Sequence, residues 1–137
     1  MEADCDLSVP SDGGTGTIAG MTLTYLTLRS GALESVKAFW RPDNSPVIDS
    51  SNTILFGLNS APPANEREHL GYLFDEGFHV TTPKVVAEAP EKRAVEALTW
   101  LEDRVNCILL HLDVDVIDPG EYLLGNVRNW AVWDSTS

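Results

Sequence analysis

Blocks of apolar and polar positions succeed one another from Asn52 onward. Apolar runs at 53–58 and 107–112, with a weaker one at 78–81, predict three strands. The run at 107–112 is almost wholly apolar, which is typical of a buried strand. Stretches that predict helices separate the runs, and short connections join them. This β-α-β-α-β order predicts an α/β fold with a mainly parallel sheet covered by helices.

Three stretches predict helices. The first, 65–76, ends at Gly77. Its apolar residues at helical spacing are Leu70, Leu73 and Phe74. The second begins at Pro90, a residue suited to the first helical position. Its apolar face is Ala94, Leu98, Leu101 and Val105. Residues 18–28 predict the third helix, although their threonines leave a strand open as the alternative. The prolines and small polar residues of 41–51 predict a loop.

The net negative charge of the chain disfavours some classes of binding partner. Its 137 residues are 43% hydrophobic and carry a net charge of −12. Such an acidic surface repels phosphate groups and argues against nucleic acid. It attracts divalent cations or guanidinium compounds, or it serves solubility alone. No secretory signal is visible and no apolar run approaches a membrane span, so we expect a cytoplasmic protein without a membrane partner.

The candidate chemistry lies where the last apolar run ends. Asp113 and Asp115 flank Val114, so on an extended strand both carboxylates face the same way. Two such carboxylates repel each other, and a divalent cation is the strongest compensation available. In parallel sheets, ligands bind at the carboxyl ends of strands. The pattern therefore indicates a metal site, with a solvated acidic turn closed by Asp118-Pro119-Gly120 as the alternative.

A second acidic cluster, Glu2, Asp4 and Asp6, lies near the N-terminus. On an extended segment its three side chains share one face, from which they could meet Asp113 and Asp115 across the top of the sheet. Such an oxygen-rich set suits manganese, magnesium or calcium better than zinc. A solvated acidic terminus is the alternative.

Three motifs together resemble the arginase/agmatinase (ureohydrolase) family. The sequence His-Leu-Asp-Val-Asp-Val-Ile-Asp-Pro at 111–119 is similar to the family's late metal motif, in which a strand ends Asp-x-Asp and runs on to Asp-Pro. Residues 2–7 take the place of its early Asp-Ala-His-x-Asp motif. The sequence Thr-Gly-Thr-Ile-Ala-Gly-Met at 15–21 is similar to its Ser-Gly-Asn-x-His-Gly-Met loop. The strand and helix over 52–70 also follow the family, and the resemblance covers roughly residues 2–130.

The resemblance implies a three-layer α-β-α fold, partial in this chain, and two manganese ions. In the family these ions are bridged by a hydroxide that attacks a guanidinium carbon and releases urea. By position, Asp6, Asp113 and Asp115 match metal ligands unchanged. Glu2 stands where an aspartate ligand is expected, and Asp4 stands where a histidine ligand is expected. These altered ligands imply fewer manganese ions here, or none.

The loop motif departs from the family near the substrate. Ala19 replaces the loop histidine, so no catalytic residue is assigned. Thr15 and Thr17 replace the serine and asparagine that contact the amino-acid end of the substrate. The family's first metal histidine precedes the early motif, and its substrate-facing glutamate follows later strands. The 137 residues therefore read as the middle of a ureohydrolase domain, truncated at both ends.

Two functions are compatible with these residues. The first is a manganese-dependent hydrolase acting on the guanidino group of arginine, agmatine or a related small compound. The second is a non-catalytic arginase-like remnant that works as a metal-binding or protein-interaction domain. In both cases we expect one partial domain over 1–130 and a frayed tail at 131–137. Open sheet edges predict self-association or a homo-oligomer.

Overall fold

The computed structural model describes residues 5–12, 18–35, 41–59 and 67–113. Its α-helices are Thr22–Thr27 (α1), Arg67–Asp75 (α2), Pro83–Glu88 (α3) and Pro90–Glu102 (α4). Its strands are Ile54–Phe56 (β1) and His79–Thr81 (β2). Two short 3-10 turns span Pro10–Asp12 and Ala19–Met21. In the described part of the chain, no helix has the length and apolar character of a membrane span.

β1 and β2 pair in parallel, with Leu55 opposite Val80. Helix α2 lies between them in sequence, which gives the β-α-β crossover that parallel strands require. Beyond the end of β1 the backbone continues to follow β2, because the amides of Gly57 and Leu58 donate to the Thr81 carbonyl at 2.7 and 3.0 Å. The predicted α/β fold with parallel strands is confirmed.

The main core brings together the chain ahead of α1, strand β1 with the turn after it, and helix α2. Its buried members are Cys5, Leu7, Leu55, Leu58, Leu73 and Phe78. Burial alternates along residues 5–9: Cys5, Leu7 and Val9 are buried, whereas Asp6 and Ser8 are half-buried. The alternate residues Cys5, Leu7 and Val9 therefore anchor this segment to the core.

The predicted helix over 18–28 is confirmed as the 3-10 turn at Ala19–Met21 followed by α1, and its strand alternative is wrong. The threonines are compatible with the helix because their hydroxyls bond back to its own carbonyls. Thr22 Oγ1 donates to the Ala19 carbonyl at 2.9 Å, and Thr27 Oγ1 donates to the Leu23 carbonyl at 2.7 Å. The helix ends where Leu28 adopts a left-handed conformation with φ 60°.

The helix predicted to begin at Pro90 is confirmed as α4. The shorter α3 was not predicted, because its six residues are too few for a clear helical period. Two predicted apolar faces are only partly covered. Phe74 is 71% exposed, since it lies about 100° around α2 from the buried Leu73. Leu98 is 46% exposed, and no residue of α4 is buried.

The predicted buried strand at 107–112 is wrong for the described structure. The segment is not a strand, Cys107 is exposed, and Leu109 and Leu110 are 92% and 81% exposed. An apolar run becomes a buried strand only where neighbouring strands and covering helices surround it. The described sheet consists of β1 and β2, and 107–112 does not join it. Its apolar side chains therefore remain at the surface.

Candidate functional site

Asp6 is the best-described of the predicted metal ligands. It is half-buried and its backbone has φ 47°, a left-handed conformation that is uncommon for a residue with a side chain. Aspartate is one of the residues that tolerates this conformation. The Asp6 carbonyl accepts a hydrogen bond from the amide of Thr24, in the first turn of α1, at 3.4 Å. The turn at Asp6 is therefore tied to the helix that follows it in sequence.

We call residues 5–9 the anchored segment, because its backbone is bonded at several successive positions. Thr24 Oγ1 donates to the Ser8 carbonyl at 2.9 Å, and the Ser8 amide donates to the Gly20 carbonyl at 3.1 Å. Arg29 Nη1 donates to the Leu7 carbonyl between them. The carbonyls of Asp6, Leu7 and Ser8 thus all accept hydrogen bonds from α1 or from Arg29 just beyond it.

The Arg29 side chain is only 9% exposed, which is unusual for a guanidinium. Its charge is compensated on three sides. Nη1 donates to the Leu7 carbonyl, Nη2 lies 3.0 Å from Glu68 Oε1, and the guanidinium carbon lies 5.4 Å from the centre of the Tyr72 ring. The Glu68 side chain is 80% exposed, so solvent screens this ion pair and it adds little stability by itself. The buried contacts, to the carbonyl and the ring, dominate.

Asp113 is half-buried at the end of the irregular stretch that follows α4. It has an interaction partner, as has His111 two residues earlier. Glu2, Asp4 and Asp115, the other predicted ligands, lie outside the described residues, as do Thr15 and Thr17. Within the described ranges, no three histidine, cysteine, aspartate or glutamate side chains form a group able to hold a metal ion.

Ala19, which stands in place of the family's loop histidine, is described and exposed at the start of the 3-10 turn before α1. Its methyl group has no ionisable proton and no lone pair. The described residues therefore offer carboxylates at Asp6 and Asp113 and no acid or base at position 19. Carboxylate oxygens are the donors that hard divalent cations prefer, and two of the five predicted ligands lie among the described residues.

A separate groove of about 270 Å³ lies where β2, α3 and α4 meet, and none of the predicted site residues lines it. Its walls include His79, Thr81, Arg93 and Glu96. Arg93 Nη1 lies 2.8 Å from Glu96 Oε2, so the strongest charges of the groove neutralise each other. The groove has a mixed polar and apolar lining, and Arg93 Nε is buried there without a hydrogen-bond partner.

Sequence reasoning missed Arg29 and Thr24, the residues that fix the anchored segment. Arg29 follows the end of α1, where a basic residue normally lies in solvent. Thr24 is completely buried, and its helical position gives no indication that its hydroxyl bonds a carbonyl 16 residues earlier. Both roles arise only when the anchored segment packs against α1, a long-range contact that no local pattern encodes.

Comparison with known proteins identifies similar chains. No protein-family model matches. The arginase of Staphylococcus aureus strain COL is 30% identical over 122 residues, which are 88% of this chain and 37% of that arginase. The crystal structure of arginase from Bacillus subtilis is 25% identical with a TM-score of 0.70, over 87% of this chain and 39% of that one. The Bacillus cereus arginase structure has the same coverages at 20% identity and a TM-score of 0.71. This chain spans about 37% of the length of the curated arginases that it matches.

Proposed function

We propose that this chain, which is arginase-like in both sequence and fold, serves the metal-dependent hydrolysis of a guanidino group. One observation carries the proposal. The similarity to arginases runs along most of the chain. The motifs that contain Asp6, Asp113 and Asp115 resemble the metal-ligand motifs of that family, which supports the proposal. Because the chain spans little more than a third of those arginases, the activity, the substrate and the cytoplasmic location are proposals for this protein.

Each predicted site residue has a role in this proposal. Asp6, Asp113 and Asp115, with Glu2 and Asp4 as altered ligands, hold manganese through carboxylate oxygens. When bound, manganese supplies an activated water nucleophile near neutral pH. Thr15 and Thr17 contribute hydroxyls that can bond the amino-acid end of the substrate. The net charge of −12 raises the local concentration of a cationic guanidino compound.

The proposal is tested by urea release from arginine and from agmatine in the presence of manganese. We expect turnover that falls at least about a hundredfold in Asp115→Ala and Asp113→Asn, because each change removes a metal ligand or its charge. Asp103→Asn, at the exposed C-terminal end of α4, is the matched control and retains the activity. If neither compound yields urea at any manganese concentration, the hydrolase proposal fails.

A second function is favoured by Ala19. An exposed alanine cannot shuttle a proton beside the substrate, so a cation site without hydrolysis is the alternative. The chain would then act as a non-catalytic, cation-binding arginase-like domain. A calorimetric titration separates the two functions. Manganese uptake without urea release supports the second function, urea release supports the first, and absence of both rejects the metal site itself.

A further inference from the structure

The groove where β2, α3 and α4 meet has the composition of a small-molecule site. Its volume is about 270 Å³, and its lining combines the apolar Val85 and Ala97 with two threonines and Arg93. Sites for small ligands are concave and largely apolar, with a few polar groups that fix the orientation of the ligand. A groove of this size fits a compound of a few atoms rather than a nucleotide or a peptide.

The side chains of β2 that face the groove follow from the contact between the strand and α4. The His79 ring meets the Trp100 ring edge to face, with 5.4 Å between the ring centres, so His79 points towards α4. Side chains alternate along a strand, so Thr81 points towards α4 as well. Val80 points the opposite way and packs against the main core. The Thr81 hydroxyl therefore faces the groove.

Thr82 also lines the groove and directly precedes α3. A threonine at this position normally caps the helix with its hydroxyl, but the Thr82 hydroxyl makes no such bond. Among the described residues, the Thr81 hydroxyl has no hydrogen-bond partner either. Both hydroxyls are therefore available to a ligand.

The guanidinium of Arg93 has one edge that no described acceptor occupies. Nη1 lies 2.8 Å from Glu96 Oε2, whereas Nε is buried without a hydrogen-bond partner, and no acceptor is described at Nη2. An unbonded N–H of a buried charged group costs free energy. The Arg93 side chain is 34% exposed, so its head has room to turn about its terminal torsions and bring Nε to the groove. The Nε–Nη2 edge matches the two oxygens of a carboxylate.

We propose that this groove binds a small organic carboxylate. The carboxylate lies on the Nε–Nη2 edge of Arg93, the Thr81 and Thr82 hydroxyls donate to its oxygens, and its hydrocarbon part lies against Val85 and Ala97. Binding gives Nε the acceptor that it lacks in the free protein. The net charge of −12 disfavours nonspecific binding of anions, so an anion is held only where local donors of this kind converge.

Two other classes of ligand fit the groove less well. A cationic ligand would compete with Arg93 for the Glu96 carboxylate. A neutral amide can accept the same hydrogen bonds but loses the attraction between opposite charges. None of the predicted metal or substrate residues lines the groove, so this proposal stands or falls independently of the proposed function.

The test is an NMR titration of the full chain with isovalerate, a small branched carboxylate, in metal-free solution at neutral pH. The Nε–H signal of Arg93 reports on the atom that the ligand should bond. We expect this signal and the amide signals of Thr81, Thr82 and Ala97 to shift to saturation. The dissociation constant should be millimolar, as the few atoms of the probe allow. Isovaleramide has the same shape without the charge and should bind about tenfold more weakly.

Two variants assign the binding to the groove, each checked for folding by circular dichroism. Arg93→Lys keeps a positive charge beside Glu96 and removes the two-nitrogen edge, so isovalerate affinity should fall about tenfold. Thr81→Val replaces the hydroxyl by a methyl group in a residue that suits a strand, and the affinity should fall about two- to tenfold.

Arg104→Lys is the matched control. The Arg104 guanidinium lies 4.1 Å from the Trp100 ring centre, close to the groove without lining it. We expect Arg104→Lys to bind isovalerate as the unsubstituted protein does. Equal losses in Arg93→Lys and Arg104→Lys, or no loss in Arg93→Lys, would show that the carboxylate does not bind Arg93. Absence of a saturable shift of the Arg93 Nε–H signal, or equal affinities for isovalerate and isovaleramide, would also overturn the proposal.

Discussion

Gly31 approaches Val9 so closely that a Cβ at position 31 would lie 3.0 Å from Val9 Cγ1. Its φ of 98° is also unfavourable for any residue with a side chain. The end of the anchored segment is therefore packed against a backbone position that only glycine can occupy without strain. This contact explains how the chain after α1 can pass directly beside Val9.

Gly31→Ala should lower the free energy of unfolding by about 1–3 kcal/mol, through overpacking against Val9 and backbone strain. Gly71→Ala is the matched control, because a Cβ at position 71 in α2 meets nothing within 4 Å. There alanine should raise stability by about 0.5–1 kcal/mol, since it favours the helix. Urea unfolding of both variants measures the contrast, and shifts of the same sign would contradict it.

Leu73→Ala should destabilise the fold by about 2–5 kcal/mol, because Leu73 is completely buried in the core and its removal leaves a cavity. The neighbouring Phe74 is 71% exposed, and Phe74→Ala should change stability by less than about 0.5 kcal/mol. Thermal unfolding of the pair tests which face of α2 meets the core. A larger loss of stability in Phe74→Ala than in Leu73→Ala would contradict the packing of the Leu73 face of α2 against the core.

Asp6→Gly and Asp6→Ala separate the backbone role of Asp6 from its proposed role as a ligand. Both remove the carboxylate, so both should abolish the same share of manganese affinity. Glycine relieves the left-handed φ of 47°, whereas alanine keeps a side chain there without the local bonding that aspartate offers. Asp6→Gly should therefore be more stable than Asp6→Ala by about 1 kcal/mol. Equal unfolding midpoints would show that the turn carries no strain.

Hydrogen bonds from Ser51 lower the pKa of Asp49 below its ordinary value of 3.8. The Ser51 hydroxyl and its amide, which lies 2.8 Å from Asp49 Oδ1, both stabilise the charged carboxylate. A pKa depressed on folding contributes stability above the unfolded-state value, and this is lost as the pH falls through the folded-state pKa. The stabilising contribution of these hydrogen bonds should therefore decrease as the pH falls below about 4.

Ser51→Ala should bring the pKa of Asp49 part of the way back towards 3.8, because the amide bond remains. A carbon NMR titration of the Asp49 carboxyl measures the change. Ser50→Ala, one residue earlier, is the control, since no hydrogen bond from Ser50 to Asp49 is described. An unchanged titration in Ser51→Ala would show that its hydroxyl is not a partner of the carboxylate.

The sequence predicted the parallel α/β arrangement and most helices, because these depend on local periodicity and on the short connections between blocks. It failed at 107–112. An apolar composition shows that a segment favours burial, but it does not show whether other strands or helices pack against that segment. The exposed Leu109 and Leu110 belong to a run whose strand interpretation required a sheet wider than the one described.

In the candidate site too, local sequence patterns predict some residues and long-range contacts determine the others. Asp6 and Asp113 are predicted as ligands from motif spacing and from the resemblance to a known family, and this stays a prediction. The supports of Asp6 were not predicted, because Thr24 and Arg29 gain their roles from contacts across 16 and 22 residues. A hydroxyl on a buried helix face and a guanidinium after a helix end carry no local sign of such a partner.

The bonds of the anchored segment also imply an order of assembly. Its contacts with Thr24 and Arg29 close loops of 16 and 22 residues, whereas the Arg29–Glu68 pair closes one of 39. The entropy lost on closing a loop grows with its length, so the segment and α1 can form a folding nucleus before α2 docks. Arg29 belongs to both stages. We therefore expect Arg29 to bond Leu7 in the first stage and to contact Tyr72 and Glu68 of α2 in the second.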